Sequence, residues 1–255
     1  MAIGNELALY WMAGAIPALL LAPASGSFAG LLAMRLPAGQ PVGMSRSMCP
    51  HCGTVLDAID LTPIVTWVAT RGRCRHCGAK VPAIYPLIEL AALVVAAWAV
   101  WVLPPRLGLL WATCVMGWVL LALALADWEE KVLPDGLTIP LGLGGFLYAL
   151  FDGRWLDSVL GAGAGALAFL ALRWAYLKWR GREGLGLGDV KLAAAAGAWV
   201  GWAALPSVVL LAAVAAVAAA LPARLAGRLK AGAEVPFGPF LAAGLWLVWL
   251  YGPVL

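Results

Sequence analysis

Three carboxylates and four thiols stand out in a chain otherwise dominated by apolar residues. Asp127 ends the apolar run WVLLALALA, Asp135 follows in the stretch DWEEKVLPDGLTIP, and Asp189 closes the glycine run GLGLGD before another apolar block. Acids beside long apolar segments are expensive to desolvate and need a reason to be there. Two carboxylates that meet at one site can divide general acid and general base work, because both do not ionise cheaply together. The thiols fall as CPHCG (49–53) and CRHCG (74–78), two CxxC pairs with 21 residues between Cys52 and Cys74. Cys49, Cys52, Cys74 and Cys77 at this spacing can close a tetrahedral Zn²⁺ site, two thiolates from each knuckle. Gly53 and Gly78 then let the backbone turn under the metal.

The elements that must position these groups are membrane helices. Of 255 residues, 64% are hydrophobic and 12% charged, with 14 Trp, whereas soluble domains carry roughly 25% charged residues. Blocks of about 20 apolar residues suffice to cross the hydrocarbon core. Eight candidates follow: 8–33, 84–103, 107–126, 136–151, 156–178, 190–203, 205–222 and 236–253, with a tight turn at Leu205-Pro206. The first block ends in Arg35 without a small-residue cleavage site and reads as a retained span.

With eight spans, one side collects residues 34–83, 127–135, 179–189 and 223–235. Fifteen of the seventeen Lys and Arg lie on or beside it, leaving only Arg106 and Arg154 opposite. The positive-inside rule makes that side cytoplasmic and puts both termini outside. The basic balance therefore reflects topology and gives no sign of nucleic-acid binding. The expected architecture is an all-α polytopic membrane protein of about eight transmembrane helices with a cytoplasmic zinc-ribbon-like loop. Its parts are a first span (1–34), the four-cysteine loop (35–83) and a seven-helix core (84–255).

Each polar residue also has a structural reading. Asp135 sits where the fourth span opens and is explained as a helix cap. Glu129 and Glu130 share a short solvated loop with Lys131. Asp189 could be an N-cap. Asp127 is not explained in this way, since an acid near a helix C-terminus meets the negative end of the macrodipole. GLGLG lacks the GxxxxGK[ST] pattern of a phosphate loop. In a reducing cytoplasm the cysteine pairs point to metal in preference to disulfides, two redox-active pairs or no metal being the alternative. Four thiolates complete such a site, so His51 and His76 are exposed or supporting, and the zinc is structural. Cys114 is alone inside a span and reads as a small buried hydrophobe. The Gly161, Gly163, Gly165 run reads as helix packing.

Taken together these stretches resemble the type IV prepilin peptidases, membrane aspartyl proteases that process pilins and type II secretion pseudopilins. The resemblance runs through GSFAGLLAMRLP (26–37), the paired CxxC loop with RGRCRHCG, YPLIELAAL, DWEEKVLPDGLTIPL, GLGLGDVKL and VPFGPFLA (235–242). The GxGD element is weak alone, but its combination with D-x₆-P-D and four cysteines on one membrane side is specific. The resemblance assigns the catalytic pair to Asp127 and Asp189, with Asp135 outside it. It implies a prepilin or pseudopilin substrate, cleaved at the cytoplasmic face of the bacterial inner membrane just before its apolar helix. It also implies N-methylation of the new N-terminal residue from S-adenosylmethionine. No residue spacing reveals the methyl-donor pocket.

Two further expectations follow. The helix ends favour Asp189 as base and Asp127 as acid. Gly186 and Gly188 would let extended substrate backbone or a moving loop approach. The alternative from another class is a proton-coupled transporter built on the edge carboxylates, and a third is an assembly protein whose acids are only caps.

Overall fold

The computed structural model describes residues 7–43, 47–57, 59–181, 184–227 and 235–255. Residues 182–183 and 228–234 of two predicted basic loops lie outside the described residues, as do the first six residues. The described residues form helices joined by short loops, with only two isolated β-bridges. Two compact units divide the chain at Ala122 and Leu123.

The first unit contains α1 (Leu7–Arg35), the cysteine loop with a short α2 (Val65–Ala69), α3 (Ile84–Val102) and most of α4 (Leu107–Glu130). Small residues bring α1 and α3 into contact. A Cβ on Gly26 would lie 2.7 Å from both the Glu89 Cα and the Ile88 carbonyl oxygen. Near its start, α1 widens into a π-helical stretch, Trp11–Ala15, just before Pro17. Proline has no N–H for the carbonyl four residues back. That carbonyl is on Ala13, and the Trp111 indole donates to it at 3.1 Å. Glu89, buried in α3, accepts the Ile64 N–H at 2.7 Å and so ties the start of α2 to α3.

The second unit contains the end of α4, α5 (Asp135–Phe151), α6 (Trp155–Arg180), α7 (Leu187–Leu225) and α8 (Gly238–Tyr251). Glycine again sets the closest approach. A Cβ on Gly161 of α6 would fall 2.2 Å from the Gly197 carbonyl oxygen of α7, and one on Gly165 2.4 Å from that of Ala193. Gly163 faces open space. Two members of the predicted packing run therefore pack, at the spacing of one helix turn. Ser158 donates to the Ala198 carbonyl at 2.7 Å, and the Trp199 indole to the Leu141 carbonyl at 2.8 Å, which joins α5, α6 and α7.

α7 is not one straight helix. Gly201 has φ 78° and ψ 172°, outside helical space, in a region that essentially only glycine occupies. The helix is kinked there, and α8 contacts it on both sides of the kink. Trp249 packs edge-on against Trp199 with ring centroids 5.1 Å apart. Five residues earlier, a Cβ on Gly244 would meet the Val208 carbonyl at 2.5 Å and the Ala212 nitrogen at 3.3 Å. Beyond α8, the N–H groups of Val254 and Leu255 both reach Ser207 Oγ at 3.1 Å. α8 thus meets α7 before the kink through Trp249 and after it through Gly244 and the Val254 and Leu255 N–H groups. The turn predicted at Leu205-Pro206 is not found there: both residues are helical, and the break in α7 is the kink at Gly201. Pro206 is tolerated near the start of the second limb, where few carbonyls await its missing N–H.

Among the described residues, five helices are long and apolar enough to cross a membrane: α1, α3, α4, α6 and α7. α5 and α8 are shorter apolar helices. The chain is an all-helical, multi-pass membrane protein.

Candidate active site and metal centre

Asp127 lies in the last turn of α4, which ends at Glu130. Its side chain is buried, the residue only 7% exposed. One oxygen, Oδ2, accepts the backbone N–H of Gly238 at 2.8 Å. Gly238 is the first residue of α8 and is followed by Pro239, a good occupant of a first helical turn. The N-terminus of α8 is therefore aimed at the Asp127 carboxylate. Its positive end offsets the negative end of α4 at the same carboxylate. Helix ends alone consequently no longer separate the acid and base roles of the two aspartates.

Asp189 occupies the third position of α7, not the N-cap. Gly186 takes the N-cap, in extended conformation at φ −71° and ψ 151°. Asp189 Oδ2 reaches back to accept the Gly186 N–H at 3.3 Å, the carboxylate half of a capping box. Its other oxygen, Oδ1, is buried and has no hydrogen-bond partner among the described residues. An orphaned buried oxygen is costly, so its retention points to a partner supplied by substrate or water. Asp127 and Asp189 are close enough to interact electrostatically.

The glycine run is more built than flexible. A Cβ on Gly188 would lie 2.8 Å from Leu133 Cβ, and one on Gly184 2.3 Å from the Tyr176 ring. Arg173 of α6 donates to the Leu185 carbonyl at 2.6 Å. Gly188 thus serves close packing in the α4–α5 connection. Gly186 presents its N–H to Asp189 and has no neighbour nearer than Asp189 Oδ2, at 3.5 Å from a built Cβ. Asp135 opens α5 and pairs with Lys191 of α7. That ion pair holds the two helices beside the site.

Gly238 is the functional residue the sequence reading passed over. A Cβ there would come within 2.7 Å of Asp127 Oδ2 and 3.0 Å of its Cγ. Only a glycine lets the α8 backbone donate to this acid at hydrogen-bond distance. The signal was present in VPFGPFLA, a glycine–proline pair opening an apolar helix, but nothing local connected it to a residue 111 positions away.

In the cysteine loop the four Sγ atoms of Cys49, Cys52, Cys74 and Cys77 lie within 4.8 Å of one another, and none is in a disulfide. Cys49 Sγ and Cys77 Sγ are 3.9 Å apart. A tetrahedron with Zn–S bonds near 2.3 Å has edges of about 3.8 Å, so the donor set fits zinc. Each knuckle repeats one geometry. The N–H of Gly53 bonds the Cys49 carbonyl and that of Gly78 bonds the Cys74 carbonyl, both at 2.9 Å. Both glycines are left-handed, with φ 67° and 73°. Asp60 braces the second knuckle through Arg75 (3.1 Å) and His76 (3.5 Å). The Asp57 N–H, then His76 and Arg75, hold the Asp60 carboxyl below the usual carboxylate range. His76 is thus engaged by Asp60, outside the four-sulfur cluster.

Two families divide this chain between them. Residues 20–103 match the bacterial peptidase A24 N-terminal domain, and residues 114–221 match the type IV leader peptidase family. A prepilin leader peptidase/N-methyltransferase of Burkholderia pseudomallei is 45% identical over 82% of this chain and 68% of its own length. The chain belongs to the prepilin leader peptidase/N-methyltransferase family. Proteins of the same description from Aeromonas hydrophila and Stutzerimonas stutzeri are 41% and 34% identical, over 81% and 86% of this chain and 72% and 78% of theirs. No solved structure matches the chain. Membership in this leader peptidase family replaces the transporter alternative: the edge carboxylates belong to a peptidase match, and the four cysteines fall in its N-terminal domain match.

Proposed function

We propose that this chain removes the leader peptide from type IV prepilins or pseudopilins by aspartyl proteolysis and then N-methylates the new N-terminal residue. The observation that supports this most is the pairing of an anchored carboxylate with an orphaned one. Asp127 is fixed by the Gly238 N–H, while Asp189 keeps one buried oxygen without a partner. A water between them would be deprotonated by the ionised aspartate. The protonated one would polarise the scissile carbonyl. Attack gives a tetrahedral diol, and collapse of that diol expels the amine, which takes a proton from the pair. Neither a serine nor a cysteine nucleophile is needed.

Both acids sit at helix ends, Asp127 in the last turn of α4 and Asp189 in the first turn of α7. This suits a substrate cleaved where its extended leader meets its apolar helix. The reading places the chain in the bacterial inner membrane, crossing it about eight times, with the pair at the cytoplasmic face and both termini outside. Zinc, held by Cys49, Cys52, Cys74 and Cys77, would be structural, since four thiolates leave no open position for water. S-adenosylmethionine supplies an electrophilic methyl group for the new amine. Purified protein should cleave a prepilin in detergent, and Asp127→Asn and Asp189→Asn should each abolish cleavage while leaving the helical content intact. Unimpaired cleavage by both variants would sink the assigned pair.

A further inference from the structure

Beneath the second knuckle lies a cavity of about 350 Å³, lined by Trp67, Arg71, Arg73, Lys80 and the segment Val81-Pro82-Ala83. No acid lines it among the described residues. Several local features there are unfavourable on their own. Arg71 is left-handed at φ 53°, an uncommon conformation for a side-chain-bearing residue that is concentrated at functional sites. Arg73 and Lys80 form an antiparallel bridge, and like charges directly opposite one another destabilise a ladder. Gly72, at φ 67°, passes directly under the Trp67 ring, where a Cβ would fall 2.9 Å from the indole. The Trp67 indole N–H is fixed on the Val81 carbonyl at 3.2 Å. An anchored aromatic ring and three cations therefore line the same cavity. Only Arg73 has a protein partner for its side chain, the Gly78 carbonyl at 3.4 Å, among the described residues.

We infer that this cavity binds the anionic headgroup of a membrane phospholipid. Three uncompensated cations converging on one hollow call for an anion. The position of the cavity selects the source. Its rim, Val81-Pro82-Ala83, leads directly into Ile84, the first residue of the span α3. A lipid phosphate lies at that depth. From the rim, Leu87, Leu90 and Val94 are exposed at helical spacing along α3, an apolar track for the acyl chains. S-adenosylmethionine fits less well, because its sulfonium and ammonium together outweigh its single carboxylate. The inference stands apart from the proteolytic reading and does not need it.

The test uses the full chain in zwitterionic detergent, with native mass spectrometry and lipid titration as readouts. Phosphatidylglycerol should be retained far better than phosphatidylcholine. Arg71→Gln/Arg73→Gln/Lys80→Gln should weaken phosphatidylglycerol binding by about fivefold for each cation removed. Arg71→Lys/Arg73→Lys, which keeps the charge, should stay near the parent, and an unchanged melting temperature in all variants shows that they are folded. As a control, Lys178→Gln/Arg180→Gln/Arg224→Gln removes three exposed charges elsewhere and should leave binding unchanged. Equal losses in the two triple variants would overturn the site in favour of diffuse surface charge. Inorganic phosphate binding as tightly as phosphatidylglycerol would overturn the lipid source. Tight S-adenosylmethionine binding that is lost with the same three cations would assign the cavity to the methyl donor and overturn the inference.

Discussion

Replacing Gly238 with alanine tests the proposed active site through one added methyl group. Gly238 is not among the left-handed glycines, so alanine can adopt its backbone conformation without strain. The new Cβ would lie 2.7 Å from Asp127 Oδ2, 3.0 Å from Cγ and 3.1 Å from its Cβ. Ordinary contact begins near 3.4 Å. The carboxylate or the start of α8 must therefore give way by about 0.7 Å at the closest point. That shift also lengthens the Gly238 N–H bond to Oδ2, now 2.8 Å. Misplacement of a catalytic group by about 1 Å costs on the order of 10²-fold in rate. A hydrogen bond to a charged group contributes roughly 1.5–3 kcal/mol, which leads to a similar figure. Gly238→Ala should thus lower kcat for prepilin cleavage by about 10- to 100-fold, with KM little changed. Single-turnover cleavage in detergent isolates the chemical step. Gly163→Ala, at a position with open space around it, is the matched control and should cleave normally. A Gly238→Ala enzyme as fast as the parent would refute the claim that α8 positions Asp127.

Four further substitutions address the scaffold. Gly201→Ala forces a side chain into a conformation that glycine alone favours and pushes a Cβ to within 2.7 Å of Asp157 Oδ2. It should lower stability by about 1–3 kcal/mol, read as a reduced thermal midpoint in detergent. Gly161→Ala must separate α6 from the Gly197 backbone and should destabilise by a similar ~1–3 kcal/mol, whereas Gly163→Ala should be neutral in the same melt. Elemental analysis should find one zinc per chain, lost in Cys49→Ser. Asp60→Asn should keep the zinc but release it faster to a chelator, because the second knuckle loses its brace to Arg75 and His76.

How much of this was legible depends on the distance over which each feature is encoded. The four-cysteine cluster is local: both knuckles are five-residue units whose glycine turns follow from spacing, and the four sulfurs converge as that spacing predicts. Asp127 and Asp189 were legible as types, since an acid at the end of an apolar run is hard to explain by desolvation energetics. Their meeting, 62 residues apart, required topology and family pattern as well. The details that shifted are those decided by tertiary packing. Asp189 moves from N-cap to third position because α7 begins inside the glycine run, with Leu187 already helical. The break in α7 is the kink at Gly201. In sequence that residue is one more small residue in an Ala- and Gly-rich stretch, while Pro206 looked like the stronger break.

Glycine in this chain performs three tasks that sequence alone does not distinguish. At Gly161 and Gly197 it lets two backbones touch; at Gly201 it permits a kink; at Gly238 it lets a helix N-terminus donate to an acid. The last of these bears most directly on chemistry. A membrane protease with two acids at one site must prevent their mutual repulsion from driving them apart. Here one acid is held by its own helix, through the Gly186 N–H, and the other by a helix more than a hundred residues downstream. Each carboxylate is thereby anchored through Oδ2 to a backbone donor. Asp189 is left with a buried Oδ1 that has no hydrogen-bond partner among the described residues, a position open to an incoming water. Anchoring both acids from the backbone holds them in place with no side-chain donor at either Oδ2 contact. This is the physical reason to expect the α8 junction to matter for catalysis through Asp127, the aspartate it anchors.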